Sequence, residues 1–239
     1  MSIRTLTIII PCYNEEGMIA GILQKVAGAE CGLQKQIIVV DDGSSDRSAL
    51  AISEFVSGNP GLPISVINHA TNLGKGSCIH SALQVATGEV IIIQDADLEY
   101  SPAEYSKMLK PITDGFADVV YGSRFRGSEA HRVLFFMHTI GNKFLTFLSN
   151  LFTGINLTDM ETGFKMFRTD VLRKVSLKER RFGFEPEVTA KVSRIPGIRI
   201  YEIGISYYGR TYADGKKINW MDGFRAIYCV LKYNIFSRK

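Results

Sequence analysis

No run of about 18 apolar residues, the length a membrane-spanning helix needs, occurs in this 239-residue sequence. The nearest approach, Val133–Thr158, is broken by Lys143 and diluted by Asn, Ser, Thr and Gly, so it reads as amphipathic. A secretory leader core is missing too, because the apolar stretch Leu6–Ile10 stops at Pro11 and Glu15. Cysteine is scarce. Cys12, Cys31, Cys78 and Cys229 form no C-x-x-C pair, which argues against zinc and thioredoxin-type chemistry and for a reduced, cytoplasmic compartment. Charge is nearly balanced: 28 Lys and Arg against 24 Asp and Glu leave +4. That is too little for nucleic-acid binding, but it suits an anionic small substrate or an acidic membrane face. Repeats, low-complexity tracts and linkers are also absent. The chain reads as one domain at 1–217 with an amphipathic helix and basic tail at 218–239.

The first half alternates short β-branched runs with helical segments. Thr7–Ile10, Gln36–Val40, Ile64–Asn68, Val90–Gln94 and Asp118–Tyr121 read as strands, continuously apolar as strands covered on both faces should be. Glu16–Ala27, Ser48–Val56, Lys75–Ala86 and Pro102–Pro111 read as helices, the last capped by Ser101 with Glu104 completing a capping box. The alternation predicts an α/β fold with a mostly parallel central sheet flanked by helices. The second half is less regular. Val133–Phe152, Phe184–Arg194 and Trp220–Tyr233 read as helices, and Arg199–Ile203 as a strand. Asp159–Arg168 is a loop running into a strand, and Tyr207–Lys217 is a polar loop.

In an open parallel sheet, ligands bind beyond the carboxyl ends of the strands. Asp95-Ala96-Asp97 follows the fourth strand directly. Two carboxylates so close repel each other, and a divalent cation with hard oxygen ligands would remove the repulsion and hold a diphosphate. A bare D-x-D is more simply a solvated acidic turn, but a buried strand before it favours the metal reading. Asp41-Asp42-Gly43-Ser44 is either an Asx turn or a carboxylate for a base or ribose. Asn72-Leu73-Gly74-Lys75-Gly76 is not a P-loop, since His69 stands where the upstream glycine belongs and Gly76 where Ser or Thr belongs. It is either a helix-starting turn or a means of placing Lys75 and a helix N-terminus near phosphate. No G-x-G-x-x-G follows the first strand, so a dinucleotide fold is disfavoured.

Together with Pro11…Asn14-Glu15, these motifs resemble family 2 glycosyltransferases of the GT-A fold. Gly122-Ser123-Arg124, Asp159…Thr162-Gly163-Phe164-Lys165, Phe184-Glu185-Pro186-Glu187 and Tyr207…Arg210-Thr211…Gly215-Lys216-Lys217 resemble the polyprenol-phosphate mannosyltransferase branch. The resemblance implies an inverting, metal-dependent hexosyltransferase using a nucleotide-diphosphate sugar, of GDP-mannose or UDP-glucose type, with Mg²⁺ or Mn²⁺. Pro11, Tyr13, Glu15 and Asp42 would line the nucleotide pocket. Asp95 and Asp97 would hold metal and diphosphate, flanked by Ala96. Family members often carry Gln where this chain has Glu99, which leaves Glu99 open as metal ligand, sugar contact or neither.

The acceptor decides the rest of the chemistry. A phosphate acceptor is already mostly ionised at neutral pH and needs no base. It does need fixed cations, and Arg124, Arg132, Arg210 and Lys216 are the candidates, with Lys75 at the donor diphosphate. The catalytic set is then Asp97, Arg124 and Arg210. A sugar-hydroxyl acceptor, the alternative, would need a base from Asp159, Glu161 or Glu185. A non-catalytic scaffold on the same fold need not keep both metal acids. His138 reads as a core or interfacial histidine. A polyprenyl phosphate lives in a bilayer, so the stripes Val133–Met137 and Phe144–Leu148, and Trp220, Phe224, Ile227, Tyr228 and Leu231, suggest peripheral contact with the inner membrane face. Plain core packing would explain either stripe alone, and an integral membrane partner is another route to lipid.

Overall fold

The computed structural model describes residues 3–127, 132–133, 136–181, 183–210 and 220–236. Seven strands form one sheet: β1 (Thr5–Cys12), β2 (Gln34–Asp41), β3 (Ile64–Asn68), β4 (Val90–Ile93), β5 (Val119–Ser123), β6 (Lys165–Arg168) and β7 (Ile200–Gly204). Their order is β3-β2-β1-β4-β6-β5-β7, and only β6 runs antiparallel to its neighbours. The continuous runs Ile8–Ile10, Ile37–Val40 and Val90–Ile93 are fully buried because helices cover both faces.

On one face lie α1 (Ile19–Gly28), α2 (Ser48–Gly58) and α4 (Tyr105–Thr113), over the core of Leu6, Ile8, Ile37, Val39 and Ile92. On the other lie α3 (Lys75–Val85), α5 (Phe136–Thr153), α6 (Thr169–Arg173), α7 (Phe184–Val192) and α8 (Trp220–Leu231), over Ile9, Ile38, Val40, Ile91 and Ile93. Ala226 and Val230 of α8 join this second core, and α8 packs against α5 and α7. A π-helical turn, Lys232–Phe236, continues α8.

The expected strands and helices are all present, with ends shifted by up to three residues, and three departures bear on the local chemistry. Helix α1 begins at Ile19 rather than Glu16, because residues 15–18 form a turn in which the Glu15 carbonyl accepts the amides of Met18 and Ile19. The short helix α6 has no counterpart in the sequence reading. Ser101 does cap the turn Pro102–Glu104, accepting the Ala103 amide at 3.4 Å. The capping box fails, however: Glu104 turns away and accepts the Ser206 amide at 3.1 Å and hydroxyl at 2.9 Å.

Candidate active site

Because β2, β1 and β4 are parallel, their carboxyl ends share one edge of the sheet. Strand β6 runs the other way, so its amino end and the loop before it reach the same edge. The chain order diverges between β1 and β4, which opens the crevice where open α/β sheets bind ligands. Pro11, Tyr13, Glu15, Asp42, Asp95, Ala96 and Asp97 all follow or end strands at this edge. Pro11 is half-buried and Tyr13 is exposed.

The first two loops lock together. Asn14 takes a left-handed φ of 51°, which asparagine tolerates, and its Oδ1 accepts the Ser45 amide at 2.8 Å. Its own amide reaches Ser44 Oγ at 3.0 Å, and the Glu15 amide reaches Ser48 Oγ at 2.7 Å. Asp42, expected against the nucleotide, is 2% exposed. Its carboxylate accepts the Leu73 amide at 3.0 Å and the Gly74 amide at 2.7 Å, and meets His69 Nδ1 at 2.7 Å. It therefore supports the loop before Lys75 rather than facing an open cleft. Asp42, His69 and Cys78 hold ligand atoms within 4.8 Å of one another. The set is a hydrogen-bonded knot, since His69 Nε2 also meets Ser81 Oγ at 2.8 Å and burial pushes the Cys78 thiol well up.

The D-x-D turn lies beyond β4, with Leu98 held at a φ of 60°, a strained geometry for leucine worth about 1–3 kcal/mol. Lys75 Nζ pairs with Asp95 at 2.7 Å and Glu185 at 3.0 Å. Gly163 leaves Asp95 its space, since a Cβ there would stand 2.2 Å from Asp95 Oδ2. Arg210 bridges Asp97, at 3.0 Å, and Glu15, at 3.0 and 3.2 Å. Glu99 fixes the segment that carries Arg210, accepting the Arg210 amide at 2.7 Å and the Tyr207 hydroxyl at 2.8 Å. Burial, then the charges of Asp95 and Glu99, push the Asp97 carboxyl up to about 7. Among the described residues, five carboxylates (Glu15, Asp95, Asp97, Glu99 and Glu185) are met by Lys75 and Arg210. Hard carboxylate oxygens gathered this closely fit a magnesium- or manganese-like cation at Asp95 and Asp97.

Arg124 lies behind this turn. Its Nε and Nη2 donate to Asp159 at 2.7 and 2.8 Å, and its amide donates to the same carboxylate at 3.0 Å. These bonds tie Arg124 to the loop before β6. Asp159 is fully buried, so Asp159→Asn should leave a buried cation uncompensated and cost about 3 kcal/mol in denaturant unfolding. Next along that loop, Glu161 Oε1 is buried without a hydrogen-bond partner among the described residues, and burial, then Glu185, raises its carboxyl to about 8. Lys165, fully buried, donates to the carbonyls of Met160 and Thr162. Arg132 donates to the Gly209 carbonyl at 2.7 Å, beside Arg210. Lys216 lies outside the described residues.

The profile of Glycosyl transferase family 2 matches residues 7–176. The chain belongs to that family. Its curated relatives include dodecaprenyl-phosphate galacturonate synthase of Rhizobium johnstonii, 25% identical over 98% of this chain and 67% of that protein. The UDP-N-acetylglucosamine–dolichyl-phosphate N-acetylglucosaminyltransferase of Methanococcus voltae is 26% identical over 97% and 96%. Dolichol-phosphate mannosyltransferase of Pyrococcus furiosus is 28% identical over 95% of this chain but 64% of that protein, so this chain spans less than two thirds of it. Among solved structures, Mycobacterium tuberculosis glucosyl-3-phosphoglycerate synthase with Mn²⁺, UDP and phosphoglyceric acid superposes with a TM-score of 0.70. That match covers 97% of this chain and 79% of the other at 17% identity, and shows a shared GT-A-like fold.

The sequence reading gave no role to some residues that build this family 2 site. Tyr100 accepts the Gly163 amide at 3.1 Å and stacks on Phe164 with ring centroids 5.2 Å apart, bracing the loop against Asp95. Glu187, fully buried, accepts the amides of Lys178 and Glu179 at 2.7–2.9 Å. The acidic spacing Glu185-Pro186-Glu187 at the start of α7 was the available signal.

Proposed function

We propose that this family 2 glycosyltransferase moves a hexose from a nucleotide-diphosphate sugar to a polyprenyl phosphate, with inversion, on a membrane surface. One observation supports the lipid acceptor most directly. Helix α5 begins four residues after Arg132, which donates to the Gly209 carbonyl next to Arg210. From there Phe136, Ile140, Phe144, Phe147 and Leu151 line one outer stripe of the helix, each 45–76% exposed. An apolar face leading back to Arg132 and Arg210 suits a phosphate on a long hydrocarbon tail. The relatives' names agree on polyprenyl or dolichyl phosphate and differ in the sugar.

Asp95 and Asp97 would hold Mg²⁺ or Mn²⁺, which when bound supplies positive charge to the departing diphosphate. Lys75 orients Asp95, and Arg210 stands between Asp97 and Glu15, where it can exchange a carboxylate partner for a phosphate oxygen. Pro11, Tyr13 and Glu15 offer the nucleotide side of the crevice. Arg132, Arg210 and Lys216 would draw in the second anion, and a phosphate monoester attacks without a base. Among the described residues no helix is long and apolar enough to cross a membrane, so lipid contact falls to the outer faces of α5 and α8. A sugar-hydroxyl acceptor is the second reading, favoured by the unpaired Glu161 Oε1 and its raised carboxyl, which could serve as base.

Radiolabelled GDP-mannose, UDP-glucose and related donors, each with polyprenyl phosphate and Mn²⁺ in detergent, separate the readings. Label from one donor should pass into organic solvent, and EDTA should prevent it. Label transferred only to a water-soluble glycan would replace the lipid acceptor with the hydroxyl one.

A further inference from the structure

Glycines 74 and 76 flank Lys75, and a neighbouring segment explains both. A Cβ at Gly76 would stand 2.0 Å from the Glu179 carbonyl oxygen, and one at Gly74 2.4 Å from the Arg180 carbonyl oxygen. The Ser77 amide also donates to the Arg180 carbonyl at 3.1 Å. Residues 179–180 thus lie directly on the backbone that carries Lys75, and Lys75 carries Asp95.

The Glu179 side chain points the other way. It is 3% exposed and accepts Arg225 Nη2 at 2.6 Å, Lys232 Nζ at 2.9 Å and the Tyr233 hydroxyl at 2.7 Å. All three belong to α8 and the turn that continues it. Burial works against the charge, yet those bonds hold the carboxyl down to about 2, so it stays ionised across the working range. One residue therefore grips the C-terminal helix with its side chain and supports the Lys75 loop with its main chain.

We infer that Glu179 is a positioning residue of the donor site: anchored to α8, its backbone sets the placement of Lys75 and, through Lys75, of Asp95. The inference rests on the reading that the donor diphosphate is held at Asp95–Asp97. The link runs through a main-chain contact that no side chain at Gly74 or Gly76 could share. The donor site is thereby continuous with a helix whose outer side shows Phe224 and Tyr228, 66% and 52% exposed.

The test measures binding of UDP and of GDP, each with Mn²⁺, by calorimetry on the full chain. Glu179→Gln keeps the shape of the side chain and removes its charge, and should weaken the bound nucleotide about tenfold or more while near-ultraviolet dichroism stays native. Lys75→Met should weaken it as well, and adding Glu179→Gln to Lys75→Met should have no further effect, because the first acts through the second. Asp118→Asn breaks a comparable cluster with Arg199 and Arg168 near the β5–β7 start, and should leave binding unchanged. If Glu179→Gln does not fold, Arg225→Gln loosens the same anchor from the exposed side and should weaken binding in the same direction. Three outcomes overturn the inference: a folded Glu179→Gln that binds like the parent, an additive double variant, or an equal loss from Asp118→Asn. A parent protein that binds neither nucleotide overturns the donor-site reading itself, and this inference with it.

Discussion

Asp97→Asn should lower sugar transfer by about 10²–10³-fold, the loss expected when one preorganised electrostatic group is removed, and yet make the metal-free protein more stable. The two effects share a cause. In the folded chain burial, then Asp95 and Glu99, raise Asp97 from 3.8 to about 7. Between those values the folded state holds a proton that the unfolded state has released. Stability contributed by this group is therefore present at acid pH and lost as pH climbs from about 4 to 7. Asparagine carries no charge to desolvate, so at pH 8 the variant should gain roughly 1–4 kcal/mol over the parent. Arg210 also pairs with Glu15, at 3.0 Å, so it is not left without a carboxylate partner by the substitution. Added Mn²⁺ should raise the melting temperature of the parent by mass action and leave the variant nearly unmoved. Thermal melts at pH 5 and pH 8, with and without Mn²⁺, read the sign directly. A parent that melts higher at pH 8 than at pH 5 because of this residue, or a variant with full activity, would remove Asp97 from the site.

How much of this was legible without coordinates depends on the distance over which each contact acts. Val90–Ile93 and Ile37–Val40 declare themselves as strands because burial on both faces demands an unbroken apolar run. Once they are strands of a parallel sheet, geometry forces the residues after them to one edge, so Asp41–Ser44, Asn72–Gly76 and Asp95–Asp97 assemble without further information. The insertion of β6 between β4 and β5 is different. Strand β6 pairs antiparallel with both neighbours, and nothing in the pattern of Lys165–Arg168 announces that place. The partner of Arg124 lies 35 residues away, and that of Glu99 more than 100. A sequence shows that an arginine is present, not that a buried aspartate already occupies its fork. The same limit applied to Asp42, whose motif marks the edge correctly while its carboxylate faces inward to two amides and a histidine. The Asn72–Gly76 loop reads as a helix-starting turn or a means of placing Lys75 near phosphate, and what requires its two glycines is the main chain of Glu179 and Arg180.

Replacing Phe144 and Phe147 together by glutamate should abolish vesicle binding while sparing nucleotide binding. The two rings are 52% and 63% exposed, whereas Leu145, Thr146 and Ser149 of the same helix face inward, so the substitutions leave the core untouched. Phenylalanine seated in a bilayer interface is worth about 1.5–3 kcal/mol, and removing two amounts to roughly 10²–10⁴-fold in affinity. The introduced charges add repulsion from anionic headgroups, where Lys143, 5.9 Å above the Phe125 ring, would otherwise attract them. Flotation with phosphatidylglycerol vesicles should show the parent carried upward and the variant left behind. On the proposed reading, with the lipid met by α5 and the donor held at Asp97 and Arg210, transfer to polyprenyl phosphate should then collapse when the acceptor is presented in vesicles and survive when it is dissolved in detergent. A variant equally impaired in both would mean that α5 shapes the crevice itself. A variant that still floats would mean that the lipid meets another face, and that a face this apolar has a protein over it instead.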